Sequence, residues 1–217
     1  MEASEIIVKG RANVSQKPDC IKLLIRVKAQ SIAYGATIDM LNDSVNKALE
    51  AMAAVGVDEE PQTDNYSIEE NWADPYDHSK RRFIGYEGEQ LLAVRMPFDM
   101  IMLGEVLKEL SSLKTKPSVH TYFEVRDPSK MQAEARHKAI EASKFAANDI
   151  AVQLGVNLGK VKSVKYDMPL SVQSSSLNID MDETLQVFGA PDGKASMPII
   201  NPAEIESRDD ITIVWSI

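Results

Sequence analysis

The chain has 217 residues, 44% hydrophobic and 26% charged, a balance that excludes disordered, collagenous and coiled-coil classes. Lys plus Arg number 24 against 33 Asp plus Glu, and a net charge of −9 removes the counterion-release energy behind nucleic-acid binding and disfavours anionic lipid, so neither partner is expected. The single cysteine, Cys20, allows no internal disulfide and no cysteine-cluster zinc site.

A chain this long buries roughly 70 to 75% of its unfolded surface and needs no staple. No stretch approaches the roughly 20 apolar residues that cross a bilayer, so no transmembrane segment is expected. Met1 leads directly into an alternating pattern at Glu5, leaving no room for a signal peptide. As written the chain reads as cytoplasmic, although an envelope protein trimmed of its signal would read the same way.

Ile6, Val8, Gly10, Ala12 and Val14 alternate with polar positions and predict a half-buried strand. After the break at Lys17-Pro18-Asp19, Ile21, Leu23, Ile25, Val27 and Ala29 alternate with Lys22, Arg26 and Lys28, so the first two strands are expected to form a hairpin with one basic, solvated face. Ser31 is the expected N-cap of a helix carrying Ile38, Leu41, Val45, Ala48, Leu49, Met52 and Val55 inward, and Gly56 ends it. Tyr66, Ile68 and Trp72 mark a third strand, and Ile84 to Met96 a long fourth one, with a polar hairpin loop at 73–78 between them. Asp99 caps a second helix whose inner face is Met100, Leu103, Val106, Leu107 and Leu110.

Val119, Thr121, Phe123 and Val125 form a fifth strand. Asp127-Pro128 then opens a long helix over 128–154 as N-cap and N1, with Met131, Ala135, Ala142, Phe145, Ala146 and Ile150 as its expected buried stripe and Gly155 as its stop. Val161, Val164 and Tyr166 suggest a sixth strand. Residues 171–203 lose periodicity, yet Leu177, Ile179, Leu185, Val187, Phe188, Ile199 and Ile200 are too apolar for a linker, so they are candidate oligomer or partner contacts. Ile211, Ile213, Trp215 and Ile217 restore alternation in a closing strand. The predicted fold is α+β: one domain over 1–217 with antiparallel sheet built from two strand-strand-helix units, a long third helix, a C-terminal strand and an irregular insert at about 171–203.

The ordered set of local motifs resembles the SIMPL, or DUF541, family. It comprises Gly10 through Asp19, with Val14-Ser15 and Pro18-Asp19; Gln62 through Ile68; Arg82 to Tyr86 with Gly85-Tyr86; Glu134-Ala135-Arg136; and Leu154 through Val161. Departures stand at Arg11, at Tyr34 in place of a capping-box acid, and at Lys114-Thr115-Lys116-Pro117 before the fifth strand. The resemblance implies antiparallel sheet with packed helices, no established catalytic residues and an interaction role. It also implies an envelope location for many relatives and a large hollow oligomer for at least one.

The residues offer little catalytic chemistry. His78, His120 and His137 have no metal-ligand spacing and read as surface. Asp58, Glu59, Glu60, Asp64, Glu69, Glu70, Asp74 and Asp77 form an acidic segment that lacks the EF-hand order, and Lys80-Arg81-Arg82 is expected to face it across the hairpin. Cys20 reads as a small buried hydrophobe, and most methionines, Met40, Met52, Met100 and Met131 among them, as helix core. No cofactor, metal or catalytic residue is therefore expected. The leading reading is a non-enzymatic assembly or protein-interaction module that binds itself or another protein; the alternatives are a metal-dependent hydrolase using the acidic segment near His78, and a carrier of a small apolar ligand.

Overall fold

The computed structural model describes residues 4–73, 81–166, 175–179 (backbone only) and 201–217. In chain order the elements are β1 (Glu5–Gln16), β2 (Cys20–Ser31), α1 (Tyr34–Ala54), β3 (Gln62–Ala73), β4 (Arg82–Pro97), α2 (Met100–Ser112), β5 (Ser118–Glu124), α3 (Ser129–Gln153), β6 (Val161–Tyr166), β7 (Ser175–Ile179) and β8 (Ile205–Ser216). Strand-strand-helix occurs twice, then come the long helix and the closing strand, and the class is α+β with antiparallel sheets.

The strands form two sheets, in the orders β1-β8-β6 and β3-β4-β2-β5-β7. The chain divides accordingly into two compact units, one of residues 1–18, 125–175 and 202–217, the other of 19–124 and 176–201. The expected β1–β2 hairpin is not formed. β1 pairs with β8 from Glu5↔Ser216 to Gln16↔Ile205, and β2 pairs with β4 and β5. Alternation fixes which residues share a face but not which strand lies alongside, and both strands pair with partners remote in sequence.

In the first unit, α3 packs on β1 and β8. Its buried row is Met131, Ala135, Ala139, Ser143, Ala147 and Ala151, one residue in four. Of the expected stripe, Met131 and Ala135 are buried and Ala146 is half-buried against the core, whereas Ala142 is exposed, Phe145 is 78% exposed and Ile150 40% exposed. The expectation weighted large residues, whereas the sheet selects small ones because it approaches the helix axis closely. A Cβ on Gly10 would lie 2.0 Å from the Ala139 carbonyl oxygen and 2.7 Å from the Ser143 Cβ. An i+4 row winds by about 40° per step. Met131 therefore meets Val125 and Ile205, while Ala139, Ala147 and Ala151 meet Ile6, Val8, Ile211, Ile213 and Trp215. The helix starts one residue later than expected, with Asp127 Oδ1 accepting from the Ser129 amide at 3.1 Å.

In the second unit, α1 packs on β2 and β4 with α2 beside it. Ile21, Leu23, Ile25, Val27, Leu92, Val94, Met96, Val119 and Phe123 face Leu41, Val45, Ala48, Met52, Leu103, Val106, Leu107 and Leu110 in one core. Asp99 caps α2 as expected, accepting from the Ile101 and Met102 amides at 2.8 and 3.1 Å. The α1 cap is Ala33 and not Ser31, with no side-chain bond to the helix, consistent with the missing capping-box acid at Tyr34. Cys20 and Met52 are buried as expected, but Met40 is exposed. Part of the irregular insert is ordered as β7 at the edge beside β5; the loop at 74–80 lies outside the described residues.

Gly10→Ala is expected to destabilise by about 3 kcal/mol or more in chemical denaturation, since backbone must move to admit the methyl group. Gly35→Ala, where a Cβ meets nothing within 4 Å, is expected to be neutral or to stabilise by about 0.5 kcal/mol.

Candidate functional site

Alternation in β8 runs further back than Ile211. Ile205, Ser207 and Asp209 share the buried parity of Ile211, Ile213 and Trp215, which places an aspartate on the helix side of the sheet. Asp209 is 1% exposed. The Tyr166 hydroxyl donates to its Oδ2 at 3.0 Å, Arg136 Nε lies 3.7 Å from the same oxygen, and Arg136 Nε donates to the Tyr166 oxygen at 2.9 Å. The guanidinium also stands over the Tyr166 ring, 5.0 Å from its centroid. α3, β6 and β8 thus meet in one polar constellation inside the first unit. It neutralises a buried carboxylate and ties the edge strand to the helix; it presents no nucleophile to solvent. Arg136 was visible in the sequence only as part of a motif, and Asp209 was missed because the alternation was traced from Ile211 instead of Ile205.

Among the described residues, no helix packs on the other face of that sheet. Ile7, Lys9 and Arg11 of β1 lie beside Val214, Thr212 and Asp210 of β8, and Lys165 of β6 also pairs with Thr212. Three cations converge on one carboxylate: Asp210 is 3.0 Å from Lys9 Nζ, 3.5 Å from Arg208 Nε and 3.8 Å from Arg11 Nε. The Lys9 hydrogen bond, against some desolvation and helped by Arg208 and Arg11, holds the Asp210 carboxyl below its ordinary value of 3.8. At the ends of this face, Lys162 pairs with Glu5 at 2.8 Å and Asn13 donates to Glu206 at 2.9 Å.

In the second unit the helix-free sheet face holds a groove of about 430 Å³ lined by Asn65, Ser67, Glu69, Glu70, Asn71, Glu87 and Glu89. Lys28 reaches Glu87 and Glu89 at 2.9 and 3.4 Å, and Arg26 reaches Glu89 at 3.2 Å. The Lys28 ammonium is held protonated above its ordinary range, chiefly by the hydrogen bond to Glu87, against some desolvation. Glu69 stands directly opposite Glu87 in the ladder. The cations that answer these acids come from β2, whose basic alternation was legible; of the expected Lys80-Arg81-Arg82 partners, Arg82 pairs with Ala73 and Lys80 lies outside the described residues. This polar groove is not the closed apolar pocket that a ligand carrier needs.

At one end of the β3–β4 ladder, Trp72, Phe83, Tyr86 and Tyr34 form an edge-to-face chain with centroids 5.3, 5.2 and 5.3 Å apart. Beside it, Gly85 at φ 142° lets the end of β2 approach closely, since a Cβ there would lie 2.5 Å from the Ser31 carbonyl oxygen. His120 sits on the outer face of β5 and His137 on exposed α3, 3.6 Å from Glu141. His78, Asp74 and Asp77 lie outside the described residues, as do Leu185, Val187, Phe188, Ile199 and Ile200, while Leu177 and Ile179 belong to β7. Among the described residues no group of three or more His, Cys, Asp or Glu is arranged to hold a metal ion, and no helix is long and apolar enough to cross a membrane.

Arg136→Met is expected to cost about 1 to 3 kcal/mol, the half-exposed guanidinium reducing the full penalty for leaving a buried carboxylate uncompensated. Tyr166→Phe is expected to cost about 1 kcal/mol or more and to be non-additive with it in a double-mutant cycle. For Asp210, a folded value below the unfolded one contributes stability that is present above the ordinary value of 3.8 and is lost as pH falls through the folded value. Lys9→Gln is therefore expected to be less stable than the parent near neutrality, and the gap should narrow as acid denaturation curves are taken below that value.

Comparison with known proteins agrees with the motif order. Two relatives, each named 26 kDa periplasmic immunogenic protein, come from Brucella melitensis and Brucella abortus; each is 25% identical over 167 residues. The match takes in 75% of this chain and 66% of each relative, just under two thirds of their length. Their printed name corrects the expectation of a cytoplasmic chain, which rested on an N-terminus with no readable leader. The model of the SIMPL family, described as a protein of unknown function (DUF541), matches residues 6–215, across both compact units, and the chain belongs to that family.

Proposed function

We propose that this chain is a non-enzymatic assembly and protein-interaction module of the bacterial periplasm. The carrying observation is that, among the described residues, helices pack on one face of each sheet while charged side chains on the other face pair sideways across strands. An acid-base or metal centre needs convergent donors within hydrogen-bond reach of a common point; the acids of this groove are instead answered by Lys28 and Arg26. The compartment follows the printed name of the Brucella relatives. The aromatic chain from Trp72 to Tyr34, exposed at those two ends and half-buried at Phe83 and Tyr86, supplies apolar contact area of the kind that interfaces use. Leu177, Ile179, Leu185, Val187, Phe188, Ile199 and Ile200 remain our proposed additional contacts.

Native mass spectrometry and light scattering of the intact chain over a range of concentrations and salt test this reading. The expected result is a mass above that of one chain which falls on dilution. A single-chain mass up to about 100 µM at low salt, a level at which even weak specific contacts form, together with no captured protein from a periplasmic extract, would contradict it.

A further inference from the structure

The open face of the three-stranded sheet and the groove on the open face of the five-stranded sheet carry opposite surplus charge. On the open face of the three-stranded sheet, Lys9, Arg11 and Arg208 reach the carboxylate of Asp210, Lys165 stands opposite Thr212, and Lys162 pairs with Glu5 while Glu206 accepts from Asn13, so that cations outnumber carboxylates there. On the five-stranded sheet, Glu69, Glu70, Glu87 and Glu89 line one groove, where among the described residues the cations that reach them are Lys28 and Arg26, with Asn71 donating to Glu87 and Trp72 to Glu70. Each arrangement is electrostatically incomplete. Like charges directly opposite on a ladder, as at Glu69↔Glu87, are destabilising, and three cations on one carboxylate leave guanidinium donors of Arg11 and Arg208 turned to solvent, with those side chains 61% and 63% exposed. In a chain of net charge −9 the basic face is a local exception.

From this we infer that the basic open face of the first unit docks on the acidic open face of the second unit of another copy of the same chain. The occupant is a second copy because this chain itself displays both halves of the complement, and such a contact is heterologous, joining copies head to tail. Two strands about 40 Å long and a third of about 20 Å, about 4.8 Å apart, offer roughly 500 Å² per partner, which in total falls below the standard interface size and gives a weak, salt-sensitive association. Ile7 and Val214 provide an apolar centre between the charges on the basic side. The inference rests on the self-association half of the reading above and names its surface.

Charge reversal with complementation is the test. One variant carries Lys9→Glu and Arg11→Glu, the other Glu69→Lys and Glu70→Lys; all four positions are exposed, and circular dichroism with thermal melting verifies folding. Should either reversal unfold the chain, the neutral pair Lys9→Gln and Arg11→Gln, or Glu69→Gln and Glu70→Gln, replaces it. Each variant alone is expected to dissociate about tenfold or more easily than the parent, and an equimolar mixture is expected to recover a two-chain complex, since each partner retains one intact face. A parent that self-associates with a mass unchanged by both reversals, or a mixture that stays single-chain, overturns this inference while leaving assembly itself intact. A parent that is single-chain throughout overturns both.

Discussion

Each long strand in this protein is divided by alternation into an apolar and a polar side, and the helices cover only the apolar sides. That constraint organises both units. On the five-stranded sheet, β2 turns Ile21, Leu23, Ile25 and Val27 toward α1 and α2, which leaves Lys22, Leu24, Arg26 and Lys28 on the open side. On the three-stranded sheet, β8 turns Ile211, Ile213 and Trp215 toward α3 and leaves Asp210, Thr212 and Val214 outward. The helix side of the smaller sheet is close-packed through Gly10 and an alanine row. The Arg136–Tyr166–Asp209 constellation adds a polar tie between that helix and the two strands β6 and β8.

Much of this was legible in the sequence, because period-2 and period-4 patterns are local. Every strand from β1 to β6, all three helices, the Asp99 cap and the Gly56 and Gly155 stops follow from spacing. What failed was non-local or depended on close approach. The hairpin between β1 and β2 was wrong because neighbouring strands were assumed to pair, whereas Asn13 finds Glu206 across 193 residues of chain. The α3 stripe was misassigned because size was taken as the sign of burial, although a helix lying on Gly10 must present small residues. β7 was hidden in a segment of mixed polarity, where a five-residue edge strand gives too short a pattern to detect.

The functional reading depends on how charges are arranged, not on how many there are. The acidic segment 58–77 offered an alternative cation site in sequence, yet Asp58, Glu59 and Glu60 precede the edge strand β3, Asp64, Glu69 and Glu70 are spread along it, and the neighbouring Glu87 and Glu89 of β4 are ion-paired laterally by β2. Such lateral pairing suits a surface that meets another surface. A catalytic carboxylate needs a desolvated position aimed at a substrate, and the buried carboxylate found, Asp209, is already engaged by Tyr166 and Arg136. Membership in the SIMPL family fixes the lineage and leaves the activity to be argued from these faces.

Zero-length carbodiimide cross-linking of a mixture of unlabelled and heavy-nitrogen-labelled chains, mapped by mass spectrometry, tests the open-face account most directly. The account predicts isotopically mixed cross-links that join Lys9 or Lys165 of one copy to Glu69, Glu70 or Glu87 of another, and predicts that they fade as salt rises. Cross-links at these positions only within single chains, or mixed cross-links that avoid both open faces, would contradict it.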